Sequence, residues 1–265
     1  MIKVTQDGPV TIIAINRPEV RNAVNPETAS ALYEAFLDFD ADNTAKVAIL
    51  TGEGGAFCAG YDLARAADGA ADDDWHNRLA VTEANWDDRR PAPMGPTRTM
   101  LSKPCIAAIE GPAVAGGMEL ALWCDMRVMA EDAFMGVYCR RWGVPLIDGG
   151  AIRLPRIVGQ GRALDLILTG RKVEADEALA MGLANRICPP GAALSQAVEL
   201  AHDLSRFPQT CMNADRSVVH EQWSLPRGAA FAREWQSAGA FMSEGVAGAA
   251  RFKSGKGRSG DFGNI

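Results

Sequence analysis

The sequence predicts an α/β protein with mostly parallel strands, and three observations support this fold class. Apolar, β-branched runs at residues 10–16, 47–50 and 105–109 have the length and composition of strands. The second and third runs lead into glycine-rich stretches at residues 52–60 and 111–117, and a helical pattern follows at 117–123. Strand, glycine loop and helix therefore alternate, which is typical of a parallel sheet covered by helices.

The first strand and the first helix have clear boundaries in the sequence. Arg17-Pro18 ends the strand, because Pro cannot donate to a sheet ladder. Asn25 can then cap a helix N-terminus, and Pro26 suits the first helical turn. Apolar residues follow at helical spacing: Ala29, Leu32, Phe36 and Phe39.

The amino-acid composition and pattern change twice in the remainder of the chain. Residues 66–98 mix aspartates with Trp75, Trp86 and three prolines between 91 and 96, which predicts a mobile, partly helical lid. Later residues are helical in pattern, at 163–168, 174–181, 194–204 and 227–241, and residues 251–265 read as a loosely ordered end. We divide the chain into a core, residues 1–195, and a helical C-terminal region, residues 196–265.

Composition excludes several classes of protein. A formal net charge of −6 disfavours a nucleic-acid partner. No long uncharged apolar run and no signal-type start are present, so we expect no membrane partner and a cytoplasmic location. The 6 cysteines form no CxxC pair and the 3 histidines are far apart, so neither a disulfide framework nor a metal site is expected.

The glycine loops carry the strongest chemical signal. They contain no P-loop, no dinucleotide-binding fingerprint and no G-x-S-x-G elbow. At Gly116 and Gly117 a helix begins, and its first amides have no partner within the helix. Such amides suit a developing oxyanion. The helix dipole also favours Glu119 as an anion, so we expect a carboxylate near neutral pH that can accept a proton.

Residues 55–63, Gly-Ala-Phe-Cys-Ala-Gly-Tyr-Asp-Leu, and residues 108–121, which contain Gly116, Gly117 and Glu119, resemble the signature of the crotonase superfamily, the enoyl-CoA hydratases and isomerases. Matches at residues 16–18, 21–23, 103–104 and 153–159 extend the resemblance over nearly the whole chain. It implies a crotonase-like spiral of repeated ββα units with a helical C-terminal oligomerisation region, assembled as a homotrimer or a dimer of trimers.

The resemblance also implies the roles of individual residues. The backbone amides of Tyr61 and Gly116 would form an oxyanion hole for the carbonyl of an acyl-CoA thioester. Residues expected to line the CoA and substrate site are Arg21, Ala23, Ala59, Leu63, Gly117 and Cys139. Coenzyme A belongs to the substrate, so no separate cofactor is expected. Cys58 and Asp62 are interpreted as loop packing and helix capping.

The sequence departs from the family pattern at one catalytic position. Hydratases of this family carry a second glutamate where this chain has Cys139, followed by Arg140 and Arg141. Asp148 is the nearest acidic replacement; it either faces the pocket or forms a salt bridge or turn cap. The two arginines either bind a substrate carboxylate or form structural ion pairs, and Cys139 as a nucleophile is the lesser alternative to packing.

Hydration of a 2-enoyl-CoA in fatty acid metabolism is the leading prediction of function. Double-bond isomerisation needs only one mobile proton and is the runner-up, and hydrolysis of a C–C bond is a third option in which Arg140 and Arg141 would take part. A catalytically silent CoA-binding protein is the alternative of another class. The basic cluster of Arg251, Lys253, Lys256 and Arg258 either meets CoA phosphates or is a solvated tail. Residues 66–98 are expected to line the acyl end.

Overall fold

A computed structural model describes residues 1–70, 77–86 and 89–257 of the chain. It contains nine strands within these residues: β1 Ile2–Asp7, β2 Val10–Ile15, β3 Val47–Gly52, β4 Cys105–Ile109, β5 Pro112–Val114, β6 Met126–Ala130, β7 Phe134–Gly136, β8 Val173–Glu174 and β9 Arg186–Cys188. The three strands expected from composition are present as β2, β3 and β4. The sequence pattern missed β1 and β6, which are as long as these strands, and the four shorter strands.

The strands form two sheets. Six of them lie in the order β1-β2-β3-β4-β6-β9, in which only the β1–β2 pair is antiparallel. The second sheet has the order β5-β7-β8, with β5 parallel to β7. The expectation of mostly parallel strands is therefore confirmed for the main sheet.

The longer helices among the described residues are α1 Pro26–Ala41, α2 Gly116–Trp123, α3 Gly150–Val158, α4 Gln160–Thr169, α5 Ala175–Ala180, α6 Ala193–Arg206, α7 Gln209–Glu221, α8 Arg227–Gln236 and α9 Val246–Lys253. Asn25 caps α1 as expected, because its side chain accepts from the N–H of Thr28 at 2.9 Å. The sequence pattern missed both α3 and α7. It also failed at the end of the chain, since Arg251 and Lys253 lie in α9.

The main sheet is buried on both faces because its inner strands are apolar throughout. Ala48 and Leu50 of β3 face one core with α1 and α2, whereas Val47 and Ile49 face a second core. Helix α6 covers that second face with three alanines at four-residue spacing: Ala193, Ala197 and Ala201. The expected domain boundary at residue 195 falls within this helix.

Residues 66–98 differ from the expected lid where the structure describes them. Ala92 and Gly95 pair through two backbone hydrogen bonds in a tight turn, and Met94 within the turn is buried. The three prolines between residues 91 and 96 therefore belong to a buried turn and not to a mobile lid. Part of the acidic stretch, residues 71–76 and 87–88, and the tail with Arg258 lie outside the described residues.

Within residues 1–70, 77–86 and 89–257, no helix is long and apolar enough to cross a membrane. Over the same ranges, no three His, Cys, Asp or Glu side chains are grouped in a way that could hold a metal ion.

Asp125 joins the C-terminal helices to the core. Its carboxylate accepts from the N–H of Cys105 at 2.8 Å, from Arg216 Nε at 2.9 Å and contacts His220 Nε2 at 2.7 Å. Burial raises the pKa of Asp125, but the His220 and Arg216 contacts outweigh this and hold the pKa below its usual value. One carboxylate thus links β4 to α7.

We expect Asp125→Ala to lower the free energy of unfolding by about 3–5 kcal/mol, because it leaves the largely buried Arg216 without its ion-pair partner and the N–H of Cys105 without its acceptor. Asp203→Ala is the matched control: its ion pair with Arg206 is about half exposed, so the loss should stay within about 1 kcal/mol. Urea unfolding of both variants measures the difference. Equal losses of unfolding free energy in the two variants would contradict the conclusion that Asp125 joins the C-terminal helices to the core.

Candidate active site

Two chain segments pair beside the glycine loops and bring together the residues expected to contact CoA. The N–H of Ala59 donates to Arg21 O at 3.0 Å, and the N–H of Val24 donates to Gly60 O at 2.8 Å. We call these two paired segments, residues 21–24 and 59–63, the ribbon. Arg21 and Leu63 are exposed on the ribbon, while Ala23 is buried. The structure therefore places Arg21, Ala23, Ala59 and Leu63 side by side; their contact with CoA stays a prediction.

Charged and polar side chains hold the ribbon in place. Arg17 forms a largely buried ion pair with Asp62 at 3.0 Å. Asp62 also caps the short helical turn that follows, as expected, because its side chain accepts from the N–H of Arg65. Asn22 is fully buried and donates to the carbonyls of Glu53 and Ala56. Tyr61 is held between these anchored residues.

The two glycine loops lie against each other with no room for side chains. Val114 N–H donates to Cys58 O at 3.0 Å. A Cβ at Gly117 would lie 2.1 Å from Cys58 O, and a Cβ at Gly60 would lie 2.9 Å from that of Ala115. Cys58 packs between the loops, as expected, and burial raises the pKa of its thiol to about 12. The absence of a side chain at Gly117 therefore allows the close contact between the two loops.

Helix α2 begins at Gly116 after a strained residue. Ala115 has φ +53°, a left-handed conformation that a Cβ disfavours. The N–H of Gly116 donates no hydrogen bond to any residue in the described ranges 1–70, 77–86 and 89–257. An amide at the positive end of a helix is thus available to an oxyanion, as the oxyanion-hole hypothesis requires.

Glu119 projects from the first turn of α2 into buried surroundings. Its Oε1 accepts from the N–H of Asp148 at 3.0 Å and from that of Gly150 at 2.8 Å. Its Oε2 accepts no hydrogen bond from the part of the chain that the structure describes. One oxygen is therefore fixed by two amides, and the other is available for proton transfer.

The expectation that Glu119 is ionised near neutral pH is wrong. Burial, followed by the charge of Asp148, raises the pKa of Glu119 to about 8. A helix N-terminus favours an anion by about 0.3–1 kcal/mol, whereas one pKa unit corresponds to about 1.4 kcal/mol. Desolvation of a carboxyl that is 3% exposed therefore outweighs the dipole.

Cys139 lies near Glu119 and is buried. Burial raises the pKa of its thiol, and the charge of Glu119 raises it further. A protonated thiol is a weak nucleophile, so the packing interpretation is favoured. The position that holds a second glutamate in related hydratases thus carries no ionised group near neutral pH.

Asp148 is next to Glu119, but its carboxylate is directed at another segment. Oδ1 accepts from the N–H of Met94 at 2.9 Å and from the hydroxyl of Thr97 at 2.6 Å. Arg140 and Arg141 form no ion pair with it within the described chain; Arg140 Nε donates to Ile167 O, and Arg141 stacks on Tyr138. A catalytic role for Asp148 stays a prediction that this geometry does not favour.

Three residues that shape the site have no role predicted from the sequence, and only Arg153 lies in a segment that resembles the family. Met94 packs against Gly116, with Sδ 2.6 Å from where a Cβ at Gly116 would lie. Thr97 bonds Asp148, and Arg153 donates to the carbonyls of Asp148 at 3.0 Å and Thr97 at 2.6 Å. Three prolines around Met94 suggested an irregular segment, and only the folded chain shows which groups this segment meets.

Together, the parallel sheet, the two glycine loops that lie against each other and the buried Glu119 are the features of a class of protein, the crotonase-fold enzymes. The profile of the family described as Enoyl-CoA hydratase/isomerase matches residues 5–254. The chain belongs to the enoyl-CoA hydratase/isomerase family.

Individual relatives agree with this assignment. The chain is 35% identical over 235 residues to enoyl-CoA hydratase EchA19 of Mycobacterium tuberculosis, covering 86% of this chain and 83% of that protein. It is 37% identical over 226 residues to a carnitinyl-CoA dehydratase of Salmonella arizonae, covering 82% and 79%. The crystal structure of enoyl-CoA hydratase EchA1 from Mycobacterium marinum superposes with a TM-score of 0.84 at 34% identity, covering 96% of this chain and 95% of that one.

We expect Gly117→Ala to separate the two loops, since its Cβ would enter the space of Cys58 O. Thermal unfolding should show a loss of more than about 2 kcal/mol, in the range of other overpacking changes. Gly161→Ala is the control: no atom lies within 4 Å of its Cβ, so it should be neutral or stabilise by up to about 1 kcal/mol. Equal stability of the two variants would contradict the close approach.

The raised pKa of Glu119 predicts a pH-dependent stability. An acid whose pKa is higher in the folded state stabilises the fold below its unfolded value, and this contribution is lost as pH rises from about 4.5 to about 8. Glu119→Gln keeps the shape without the charge. Its melting temperature should match wild type near pH 5 and exceed it by several degrees near pH 9, at roughly 2–4 °C per kcal/mol. A constant gap across this range would contradict the raised pKa.

Proposed function

We propose that the protein is an enoyl-CoA hydratase, which adds water across the double bond of a 2-enoyl-CoA. The observation that carries the proposal is the pairing of Gly116 and Glu119 in one helical turn: an amide that can hold the thioester oxygen and a carboxyl with one open oxygen. Two relatives, an enoyl-CoA hydratase and a carnitinyl-CoA dehydratase, have names that concern water chemistry on CoA thioesters, and they support this choice.

Glu119 alone can carry out both proton transfers of this reaction. In its ionised form, it accepts a proton from water as the water oxygen bonds to the β-carbon. The electron pair of the double bond moves to the thioester carbonyl, and the enolate oxygen is held by the amides of Gly116 and Tyr61. Glu119 then returns the same proton to the α-carbon. Because its pKa is about 8, the rate should rise with pH toward that value.

The CoA part of the substrate would lie along the ribbon of Arg21, Ala23, Ala59 and Leu63, and no separate cofactor is required. Arg21 and Leu63 offer an exposed cation and an exposed apolar surface there. Arg251, Lys253 and Lys256 could meet CoA phosphates from a neighbouring subunit. A trimeric assembly is part of the proposal because α8 and α9 leave large apolar side chains exposed, including Phe231, Trp235 and Phe252. A cytoplasmic location is part of it as well.

Double-bond isomerisation is a second candidate, favoured by Cys139. With a buried, protonated thiol in place of a second carboxylate, only Glu119 can move a proton between two carbons. Hydrolysis of a C–C bond has less support, since Arg140 and Arg141 are engaged with Ile167 O and the ring of Tyr138.

Mass spectrometry of an acyl-CoA panel incubated with the protein in D₂O separates these functions. We expect a gain of one water on a 2-enoyl-CoA; label without water would identify an isomerase, and binding without either would identify a silent protein. Glu119→Gln should lower the rate by about 10²–10⁴, since it cannot accept a proton, while CoA binding survives. Glu199→Gln, an exposed glutamate on α6, is the matched control and should react like wild type.

A further inference from the structure

Asp148 contacts both halves of the candidate site. Its backbone N–H donates to Glu119 Oε1 at 3.0 Å. Its side-chain Oδ1 accepts from the N–H of Met94 at 2.9 Å and from the hydroxyl of Thr97 at 2.6 Å. The residue is 2% exposed, so these contacts are not in competition with bulk water. A single residue therefore links the carboxyl that moves protons to a separate turn of the chain.

That turn has little freedom of its own. Ala92 and Gly95 donate to each other's carbonyls at 2.9 and 2.8 Å. Gly95 has φ +89°, and a Cβ there would lie 2.6 Å from Ala29 O of α1. The turn lies directly on α1, and the carboxylate of Asp148 also binds it.

Met94 carries the position of the turn to the oxyanion amide. Its Sδ, Cε and Cγ lie 2.6, 3.0 and 3.0 Å from where a Cβ on Gly116 would be. Met94 is 1% exposed and occupies this space. A shift of the turn would therefore move the surface that packs on Gly116.

Arg153 braces the same arrangement. It donates to the carbonyl of Asp148 at 3.0 Å and to that of Thr97 at 2.6 Å. Both ends of the contact between the turn and Asp148 are thus held by one guanidinium.

We propose that Asp148 is a positioning residue, which orients Glu119 through its backbone and, through its carboxylate, holds the turn that seats Met94 against Gly116, without touching the substrate. The inference rests on the proposed function, since it assigns a role within that reaction. It replaces the expectation that Asp148 supplies the missing second acid.

The electrostatics agree with the geometry. The charges that act on Glu119 are those of Asp148 and Arg153, and Glu119 in turn acts on the thiol of Cys139. The charges that act on Asp148 include those of Arg98 and Arg153. Burial raises the pKa of Asp148, while the bonds from Thr97 and Met94 and the two arginines oppose this rise. Its negative charge in turn raises the pKa of Glu119. Neutralising Asp148 should therefore be visible at Glu119.

The test compares three variants by their pH profiles of water addition or α-proton exchange. Asp148→Asn keeps an acceptor oxygen for the turn but removes the charge. Thr97→Val keeps the charge but removes one contact. Asp148→Ala removes both. The profile midpoint should fall by about one pH unit or more in both Asp148 variants and by less in Thr97→Val, which raises the pKa of Asp148 but leaves its carboxyl in place. Asp148→Ala should in addition lose about 10- to 100-fold in kcat, because Met94 is no longer seated.

Two results would overturn the inference. Wild-type kcat in a folded Asp148→Ala, together with a midpoint in Asp148→Asn equal to that of wild type, would show that Asp148 neither holds the turn nor acts on Glu119. Complete loss of exchange at every pH in a folded Asp148→Asn that still binds acyl-CoA would make it a catalytic residue. Asp148→Asn also decides the matter if Asp148→Ala does not fold.

A measurement without substrate separates this inference from the proposed function. Infrared spectroscopy follows the protonated carboxyl band of Glu119, identified as the band that Glu119→Gln lacks. If wild type turns over no acyl-CoA, the proposed function fails. The infrared titration then still decides the inference: a lower midpoint in Asp148→Asn supports it, and an unchanged midpoint overturns it.

Discussion

The contact between the two glycine loops is the constraint on which the site depends. Cys58 O accepts from Val114 N–H and also occupies the space where a Cβ of Gly117 would lie. Since both loops leave neighbouring parallel strands, β3 and β4, this contact fixes the loop carrying Tyr61 relative to the start of α2. The strained φ of Ala115 is tolerated because packing on both sides determines the path of the chain.

Glu119 shows how burial changes the chemistry of a helix N-terminus. The dipole and two backbone amides favour its anion, but desolvation and the nearby charge of Asp148 favour its acid. The acid prevails, so a carboxyl that is protonated near neutral pH lies beside an amide suited to an oxyanion. Such a group can both accept and return a proton close to physiological pH, which is what a reaction with a single carboxyl requires.

Asp148 and Cys139 together explain how the site differs from a two-glutamate arrangement. Cys139 leaves the second acidic position without charge near neutral pH. Asp148 restores a negative charge nearby, but its oxygen is bound to Met94 and Thr97. The charge of Asp148 therefore acts on Glu119 through space, and in the proposed reaction the substrate meets one carboxyl.

The sequence by itself determined the α/β class, the bounds of strand β2 to within a residue, the start of helix α1, the two loops and the position of Glu119. These features are local: apolar runs, a capping Asn25, and glycines whose spacing is readable along the chain. Only the tertiary structure decided the protonation of Glu119, the direction of the Asp148 side chain and the seat of Met94 on Gly116. Each of these depends on burial and on contacts between segments distant in sequence, and no local pattern encodes them.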